Sequence, residues 1–290
     1  MSFFANINGQ IHPAHEARIS VMDRGFLYGD SVFEVIRTYN GRPFALEPHM
    51  ARLSESARRL AIPLPDREIL IEELNKTLAT AKNTESYCRI IITRGGGPIT
   101  LDPTAATQPT MVILVKDYEP FPEWMYSRGV RLAIPNVRRT SRRDLDPAIK
   151  SGNYLNSVIA FGEAKKRGFD DAVILGSDGF ITESTSSNVF IVKNGILRTP
   201  PLEIGLLAGV TRSLILKLAT DNGISVQEMP LSVDDLQSAD EVLLTSTLRE
   251  VMPVSEIEHH KIGSGAPGPI TVRLRKIFHE HAIQSSEQKI

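Results

Sequence analysis

The chain has 290 residues, a length that suggests about two domains. Its 33 basic and 34 acidic side chains nearly balance, which argues against a broad basic face that binds nucleic-acid phosphates. The single cysteine, Cys88, excludes an internal disulfide and a zinc site built from cysteine pairs. We therefore expect a globular protein of the cytoplasm, with neither nucleic acid nor membrane as a partner.

The first 118 residues predict a small α/β domain. The Asn8-Gly9 dipeptide separates apolar segments and is typical of a tight hairpin turn. Ser31–Tyr39 alternates between two faces with a period of two, which predicts a strand. Apolar stripes and β-rich runs predict two helices and two further strands, at residues 48–60, Arg67–Ala81, 86–94 and 110–116. In the strand predicted at residues 86–94, Tyr87 and Arg89 point to one face and Cys88 points to the other. This predicts that Cys88 packs in the core.

Residues 119–129 contain two prolines and predict a linker to a larger domain at residues 130–290. In that domain, Asp178-Gly179 and Asn194-Gly195 predict two hairpins. Periodic patterns predict three helices and a buried strand, at residues 153–167, 211–220, 270–282 and 241–245. Helices and antiparallel hairpins in both halves predict a two-domain α+β fold, with the functional site between the domains.

Lys150 precedes the helix predicted at residues 153–167, in an Ile-Lys-Ser-Gly-Asn segment. An apolar neighbour and small loop residues would partly remove such an amine from water and favour its neutral, nucleophilic form, which suits Schiff-base chemistry. The alternative is a solvated loop lysine, the commoner state of this residue. The segment alone leaves both interpretations open.

Three further patterns supply polar groups that suit a ligand. Val210 and Thr211 begin a helix, so their N–H groups and the hydroxyl would attract an anion, unless Thr211 is an ordinary N-cap. Glu183 ends a strand, either as a solvated turn residue or as a carboxylate that keeps a bound pyridine ring protonated. Ser246 and Thr247 follow a strand and either donate hydroxyl hydrogen bonds or form a turn.

The order of these segments resembles the signature of class IV (fold type IV) aminotransferases, which depend on pyridoxal phosphate (PLP). The signature runs through residues 183–190, 197–199 and 207–212 with matching gaps. Likeness extends over nearly the whole chain. The motifs that carry it are Glu183-Ser-Thr-Ser-Ser-Asn188, Leu207-Ala-Gly209-Val-Thr-Arg212, His49-Met-Ala-Arg52, Lys150-Ser-Gly-Asn-Tyr154 and Tyr28-Gly-Asp-Ser-Val-Phe33-Glu.

The resemblance implies a small N-terminal α/β domain and a larger C-terminal pseudobarrel α+β domain, with PLP between them. It implies that Lys150 forms the Schiff base with PLP and acts as the general base. It also implies that Glu183 pairs with the pyridine nitrogen and that Tyr154 hydrogen-bonds the ring oxygen.

The same resemblance implies a phosphate cup. Arg52 would hold the phosphate together with the backbone of Val210 and Thr211. Ser246 and Thr247 would complete this cup or meet the substrate carboxylate. The partners implied are an amino donor and a 2-oxo acid acceptor such as 2-oxoglutarate, and the enzyme would be a homodimer or a higher homo-oligomer.

Branched-chain L-amino acid aminotransferases carry Tyr-Gly-x-Ser-Val-Phe-Glu-Gly-x-Arg and a later Tyr-x-Arg. This chain resembles both motifs, except that Val35 replaces the second glycine. Alternation along the strand directs this extra bulk to the same face as Phe33 and Arg37. The residues that would line the substrate pocket are Tyr28, Phe33, Val35, Arg37, Tyr87, Arg89 and Leu248.

We expect a branched-chain-type aminotransferase, with D-amino acid transamination as the alternative. Val35 resembles the D-amino acid and (R)-amine branches, but the loop at residues 95–109 lacks their Arg-x-His. The substrate carboxylate would therefore bind Arg89, Arg37 or the Ser246–Thr247 turn. Aminodeoxychorismate lyase shares the fold, but the matching Tyr87-x-Arg89 argues against it. The presence of both the lysine and the glutamate argues against a non-catalytic protein.

Overall fold

The computed structural model describes residues 2–106 and 108–287. Thr107 of the loop predicted at residues 95–109 lies outside the described residues, as do Met1 and residues 288–290 at the ends of the predicted domains. The contacts divide the chain into two compact units. Unit 1 comprises the described residues of Met1–Glu119, Ile149–Asn153 and Ile283–Ile290, and unit 2 comprises Pro120–Ala148 and Tyr154–Ala282.

Within its described residues, unit 1 contains an antiparallel sheet with the order β2-β1-β6-β5-β3-β4. Its strands are β1 (Phe3–Ile7), β2 (Gln10–Pro13), β3 (Ser31–Tyr39), β4 (Arg42–Pro43), β5 (Ser86–Thr93) and β6 (Thr110–Asp117). Its helices are α1 (Arg24–Tyr28), α2 (Leu46–Leu60) and α3 (Arg67–Ala81). The hairpin predicted at Asn8-Gly9 is confirmed, and both turn residues have the positive φ that this turn favours.

The core of unit 1 lies between the sheet and α2 and α3. Val32 and Ile36 of β3 pack with Leu53 of α2 and Leu74 of α3, and all four side chains are fully buried. Cys88 of β5 belongs to the same cluster, and burial raises the pKa of its thiol to about 12. The prediction that Cys88 serves core packing is confirmed.

Unit 2 contains a mixed sheet with the order β12-β11-β10-β13-β14-β7-β8-β9, and β15 also pairs with β14. The strands are β7 (Val130–Ala133), β8 (Asp171–Leu175), β9 (Ile181–Ser184), β10 (Asn188–Lys193), β11 (Ile196–Thr199), β12 (Val226–Glu228), β13 (Glu241–Ser246), β14 (Glu250–Ile257) and β15 (His260–Lys261). The helices are α4 (Glu123–Arg128), α5 (Leu155–Lys166), α6 (Val210–Asp221), α7 (Val233–Gln237) and α8 (Pro269–Glu287).

The two predicted hairpins of this region are confirmed as β8–β9 and β10–β11, and the three predicted helices are confirmed as α5, α6 and α8. Two features differ from the sequence interpretation. The segment predicted as a linker contains the helix α4, and Ile149–Asn153 belongs to unit 1 rather than to the second unit. None of the described helices is both long and apolar enough to cross a membrane.

We expect Gly95→Ala to lower the free energy of unfolding by about 2 kcal/mol or more. Gly95 has φ +95°, and an added Cβ would lie 1.8 Å from the backbone oxygen of Gln108. Denaturant unfolding of the purified variant measures this loss. Gly96→Ala is the matched control, because its Cβ would approach no described atom closer than the Met22 oxygen at 3.9 Å. Equal stability of the two variants would contradict the prediction.

Candidate active site

The side chains of strand β3 point alternately to the two faces of the sheet in unit 1. Val32 and Ile36 point into the core against α2, and Glu34, which lies between them in the alternation, points the same way and is fully buried. Phe33 and Arg37 point to the opposite face. A buried carboxylate must be paired, because an isolated charge in the core carries a large desolvation cost.

Two residues of α2 pair with this carboxylate. His49 Nδ1 lies 2.7 Å from Glu34 Oε2, while Arg52 donates from Nε to Oε1 at 2.6 Å and from Nη2 to Oε2 at 2.8 Å. Burial alone would raise the pKa of Glu34, but the charge and hydrogen bonds of Arg52 and the contact with His49 lower it to about 2. Burial lowers the pKa of His49, and the nearby charges of Arg52 and Lys150 act in the same direction.

The backbone of Lys150 is bound to β3 and to α2. The N–H of Phe33 donates to the Lys150 carbonyl oxygen at 3.0 Å, and the Lys150 N–H donates to Ser56 Oγ at 3.1 Å. Gly152 permits this close approach, since a Cβ there would lie 2.3 Å from Ser31 Oγ. Lys150 Nζ lies 4.5 Å from the centroid of the Phe33 ring. The backbone carbonyl and the side-chain amine of Lys150 thus both lie against Phe33 of β3.

The face of the sheet that carries Phe33 also carries the arginines predicted for the substrate pocket. Val35 pairs with Arg89, and Arg37 pairs with Tyr87, so the four side chains share one face. Arg89 Cζ lies 3.9 Å from the Phe33 ring centroid. Its Nε is buried and has no hydrogen-bond partner among the described residues.

Arg37 contacts two aromatic rings of unit 1. Its Cζ lies 4.4 Å from the centroid of Tyr39 and 3.8 Å from that of Tyr118. Such contacts orient a guanidinium without using its N–H donors. Tyr28, also predicted for the pocket, lies in α1, where Arg24 Cζ is 4.9 Å from its ring centroid.

In unit 2, Glu183 lies within β9 and is 5% exposed, so the alternative of a solvated turn residue is wrong. Arg139 Nη2 is 2.7 Å from Glu183 Oε1, and the N–H of Leu207 donates to Oε2 at 3.3 Å. One carboxylate oxygen therefore faces a guanidinium and the other a backbone N–H. These contacts fix the plane of the carboxylate.

Helix α6 begins at Val210, after Gly209 at the N-cap position. Within the described residues, no side chain caps this end, so the alternative in which Thr211 is the N-cap is wrong. An added Cβ at Gly209 would lie 1.9 Å from Asn188 Oδ1, and Asn188 Nδ2 donates to the Leu207 oxygen at 2.9 Å. Asn188 therefore holds the chain that enters the helix, and the first N–H groups of α6 form the positive end of its dipole.

Ser246 and Thr247 lie where the β13–β14 hairpin turns. The Arg249 N–H donates to Ser246 Oγ at 3.3 Å, and the Arg249 side chain pairs with the buried Asp171. Ser184 Oγ, next to Glu183 in β9, also donates to Asp171, at 3.1 Å. Asp171 therefore connects the hairpin turn to the strand that carries Glu183. Leu248 is half-buried in the turn, and Tyr154 immediately precedes α5.

The structure thus groups the predicted residues within each unit. Unit 1 contains Lys150, Arg52 and the open sheet face, which is the side of the sheet that carries Phe33, Val35, Arg37, Tyr87 and Arg89. Unit 2 contains Tyr154, Glu183, the start of α6 and the β13–β14 turn. Sequence reasoning assigned no role to Glu34 or Arg139. The alternation of β3 carried a signal for Glu34, since it places a carboxylate between two core residues. No sequence pattern indicated the pairing of Arg139 with Glu183.

His259 and His260 both lie on the surface. His259 lies 3.4 Å from Glu256 and is mostly exposed. In the part of the chain that the structure describes, no three histidine, cysteine or carboxylate residues are grouped so as to hold a metal ion.

Comparison with known proteins places these residues in a family. The model of amino-transferase class IV matches residues 31–257. A putative branched-chain-amino-acid aminotransferase of Methanocaldococcus jannaschii is 41% identical over 94% of each chain. A D-alanine aminotransferase of Bacillus licheniformis is 33% identical over 98% of each chain.

Solved structures agree with this assignment. The branched-chain amino acid aminotransferase of Escherichia coli superposes with a TM-score of 0.93 at 31% identity, over 99% of this chain and 96% of that chain. Another branched-chain amino acid aminotransferase, crystallised with pyridoxamine 5'-phosphate, also superposes with a TM-score of 0.93, at 30% identity over 97% of this chain and 94% of that chain. The predicted two-domain α+β fold of type IV is thereby confirmed. The chain belongs to the class IV aminotransferases.

Proposed function

We propose that this protein is a PLP-dependent aminotransferase that transfers the amino group of branched-chain L-amino acids to a 2-oxo acid such as 2-oxoglutarate. The observation that carries the proposal is the fixed position of Lys150 against β3 and next to Phe33, in a chain 41% identical to a putative branched-chain enzyme. D-amino acid transamination is the second candidate. The bulk of Val35 on the open sheet face and the 33% identity to a D-alanine aminotransferase favour it.

The residues present fit PLP. The uncapped start of α6 has backbone donors for a phosphate, because the N–H groups of Val210 and Thr211 lie at its positive end. Ser246 and Thr247 add hydroxyl groups from the hairpin turn. In unit 1, Arg52 supplies a guanidinium, and two of its five N–H donors bond Glu34.

Glu183 would pair with the pyridine nitrogen, and Tyr154 would hydrogen-bond the ring oxygen. PLP, when bound, is the electron sink for the charge that develops at the substrate α-carbon. Glu183 favours this role because a carboxylate beside the ring nitrogen keeps it protonated. Arg139 and the Leu207 N–H hold that carboxylate in one orientation.

Lys150 would attach the cofactor covalently through Nζ and then carry the proton. Its amine, in the neutral form, would serve as the general base that accepts the proton of the substrate α-carbon. Phe33 contacts this amine and restricts where it moves. Phe33, together with Tyr28, Tyr87 and Leu248, would also contact the substrate side chain.

Arg89 and Arg37 would compete for the substrate carboxylate. The guanidinium of Arg89 contacts the same Phe33 ring as the amine of Lys150. This favours Arg89, because a carboxylate bound there lies next to the reacting amine. The Ser246–Thr247 turn remains the other donor group.

A homodimer is proposed from an exposed apolar stripe on α5. Leu155, Val158 and Ile159 lie on one face of this helix and are 68%, 60% and 50% exposed. A second copy of the chain would cover them. A cytoplasmic location is proposed because the chain has a single buried cysteine and no capacity for an internal disulfide.

Lys150→Ala should abolish covalent attachment of PLP and lower transamination by a factor of at least about 10³, the range expected for loss of a general base and nucleophile. The measurement is borohydride reduction of the yellow wild-type enzyme, followed by mass mapping of the labelled lysine. Lys165→Ala on the exposed part of α5 is the control and should behave as wild type. Labelling that persists in Lys150→Ala would show that another lysine reacts.

A panel of amino donors with 2-oxoglutarate tests the substrate assignment. L-leucine and L-valine should give the highest kcat/KM, and D-alanine, D-glutamate and (R)-1-phenylethylamine should be at least about tenfold poorer. That ratio corresponds to roughly 1.4 kcal/mol in transition-state binding. If D-alanine is turned over and L-leucine is not, the second candidate replaces the first.

Ile159→Glu should dissociate the homodimer, because a charge on the apolar stripe of α5 would be buried at the interface without a partner. Sedimentation velocity should show the mass of the single chain for this variant and twice that mass for the wild type. Lys165→Glu changes an exposed residue of the same helix and should leave the dimer intact. A dimer that survives Ile159→Glu at micromolar concentration would place the interface elsewhere.

A further inference from the structure

We propose that Glu34, supported by His49, is a positioning residue that fixes the guanidinium of Arg52 for the phosphate of the cofactor. The inference rests on the proposed function, in which Arg52 contacts that phosphate. The motifs that contain Glu34 and His49 belong to the family signature, yet neither residue has a role in the chemistry described above. Their contacts within unit 1 supply one.

The first argument is geometric. Both oxygens of Glu34 bond Arg52, through Nε and Nη2, at 2.6 and 2.8 Å. A two-point contact fixes the plane of the guanidinium, whereas a single contact would leave it free to rotate. Arginine has several rotatable bonds, and a phosphate ligand binds more tightly when these are already ordered. Glu34 therefore preorganises Arg52.

The second argument concerns burial. Glu34 is completely buried and His49 is 1% exposed, whereas the Arg52 side chain is 13% exposed. The Arg52 guanidinium is thus held from the core side by a carboxylate that water does not reach. A buried ion pair adds little net stability, because desolvation offsets most of the attraction. Its main effect here is to specify one orientation of Arg52.

His49 fixes the carboxylate in turn. Because an ionised carboxylate only accepts hydrogen bonds, His49 Nδ1 must carry the proton and donate to Oε2 across 2.7 Å. Burial and the charges of Arg52 and Lys150 lower the pKa of His49 below its ordinary value, although the hydrogen bond and the charge of Glu34 act to raise it. Nδ1 carries a proton both in the neutral tautomer that donates to Glu34 and in the charged ring, so the donor is present in either state.

The test compares full-length wild type, Glu34→Gln, Arg52→Ala and the double variant by equilibrium dialysis against PLP and against pyridoxal, which lacks the phosphate. Glu34→Gln keeps the shape but removes the charge and one acceptor. We expect its Kd for PLP to rise about tenfold or more, and its Kd for pyridoxal to stay within about twofold of wild type. In the Arg52→Ala background, Glu34→Gln should weaken PLP binding by less than about twofold.

Two outcomes would overturn the inference alone while the proposed function stands. In the first, Arg52→Ala binds PLP poorly but Glu34→Gln binds it as wild type does. In the second, Glu34→Gln weakens PLP and pyridoxal equally, which indicates a general structural defect. If Arg52→Ala binds PLP as tightly as wild type, the proposed phosphate contact fails and this inference fails with it.

Two variants of His49 provide a second test that does not depend on whether Glu34→Gln folds. Asn and Leu have similar shapes, but only Asn retains a donor near the position of Nδ1. His49→Asn should bind PLP within about threefold of wild type, and His49→Leu should bind it about tenfold more weakly, while thermal unfolding reports whether both are folded. Equal PLP affinity of these two variants would contradict the role of His49.

Discussion

The alternation of strand β3 is the constraint on which unit 1 depends. One face of the strand carries Val32 and Ile36 into the core, and between them it carries a carboxylate, Glu34, that can lie there only with partners. The partners come from α2, and one of them, Arg52, is the arginine proposed for the phosphate. The other face presents Phe33, whose ring contacts the Lys150 amine. Adjacent residues of one strand thus position a guanidinium and an amine.

In unit 2, as in unit 1, partners from other segments hold a buried carboxylate in place. Glu183 is buried in β9, and Arg139 and a backbone N–H satisfy its two oxygens. Asp171 ties β9 to the hairpin turn that follows β13, through Ser184 and Arg249. A buried carboxylate that is bonded at both oxygens is costly to move. The chemistry proposed for Glu183 therefore rests on a rigid neighbourhood rather than on a flexible loop.

Much of this fold could be predicted because periodicity and turn chemistry are local. The period of two in β3, the Arg67–Ala81 helix and the hairpin at Asn8-Gly9 each depend on residues a few positions apart. The segment predicted as a linker contains a short helix at Glu123–Arg128. Its two prolines lie just before this helix, where proline is tolerated, so they do not exclude a helix in the segment.

The pairing of buried charges could not be predicted in this way. Glu34 meets Arg52 across a strand and a helix, and Arg139 meets Glu183 between segments distant in sequence. The same holds for the grouping of Ile149–Asn153 with unit 1, which depends on the fit of Gly152 against Ser31. The resemblance to a family indicated Lys150, Glu183 and Arg52 as candidate site residues, but it did not indicate which neighbouring residues hold their side chains in place.

Val35 stands where the branched-chain motif has a glycine, and its side chain lies on the open sheet face. It stands between Phe33 and Arg37 along β3 and opposite Arg89 on β5. A branched side chain there takes space that a glycine would leave to the substrate. Each methylene of difference in a hydrophobic pocket alters transition-state binding by about 1–3 kcal/mol. We therefore expect Val35 to limit the size of the substrate next to the arginine proposed for the carboxylate, and to shift the preference among substrates without changing the reaction proposed for Lys150.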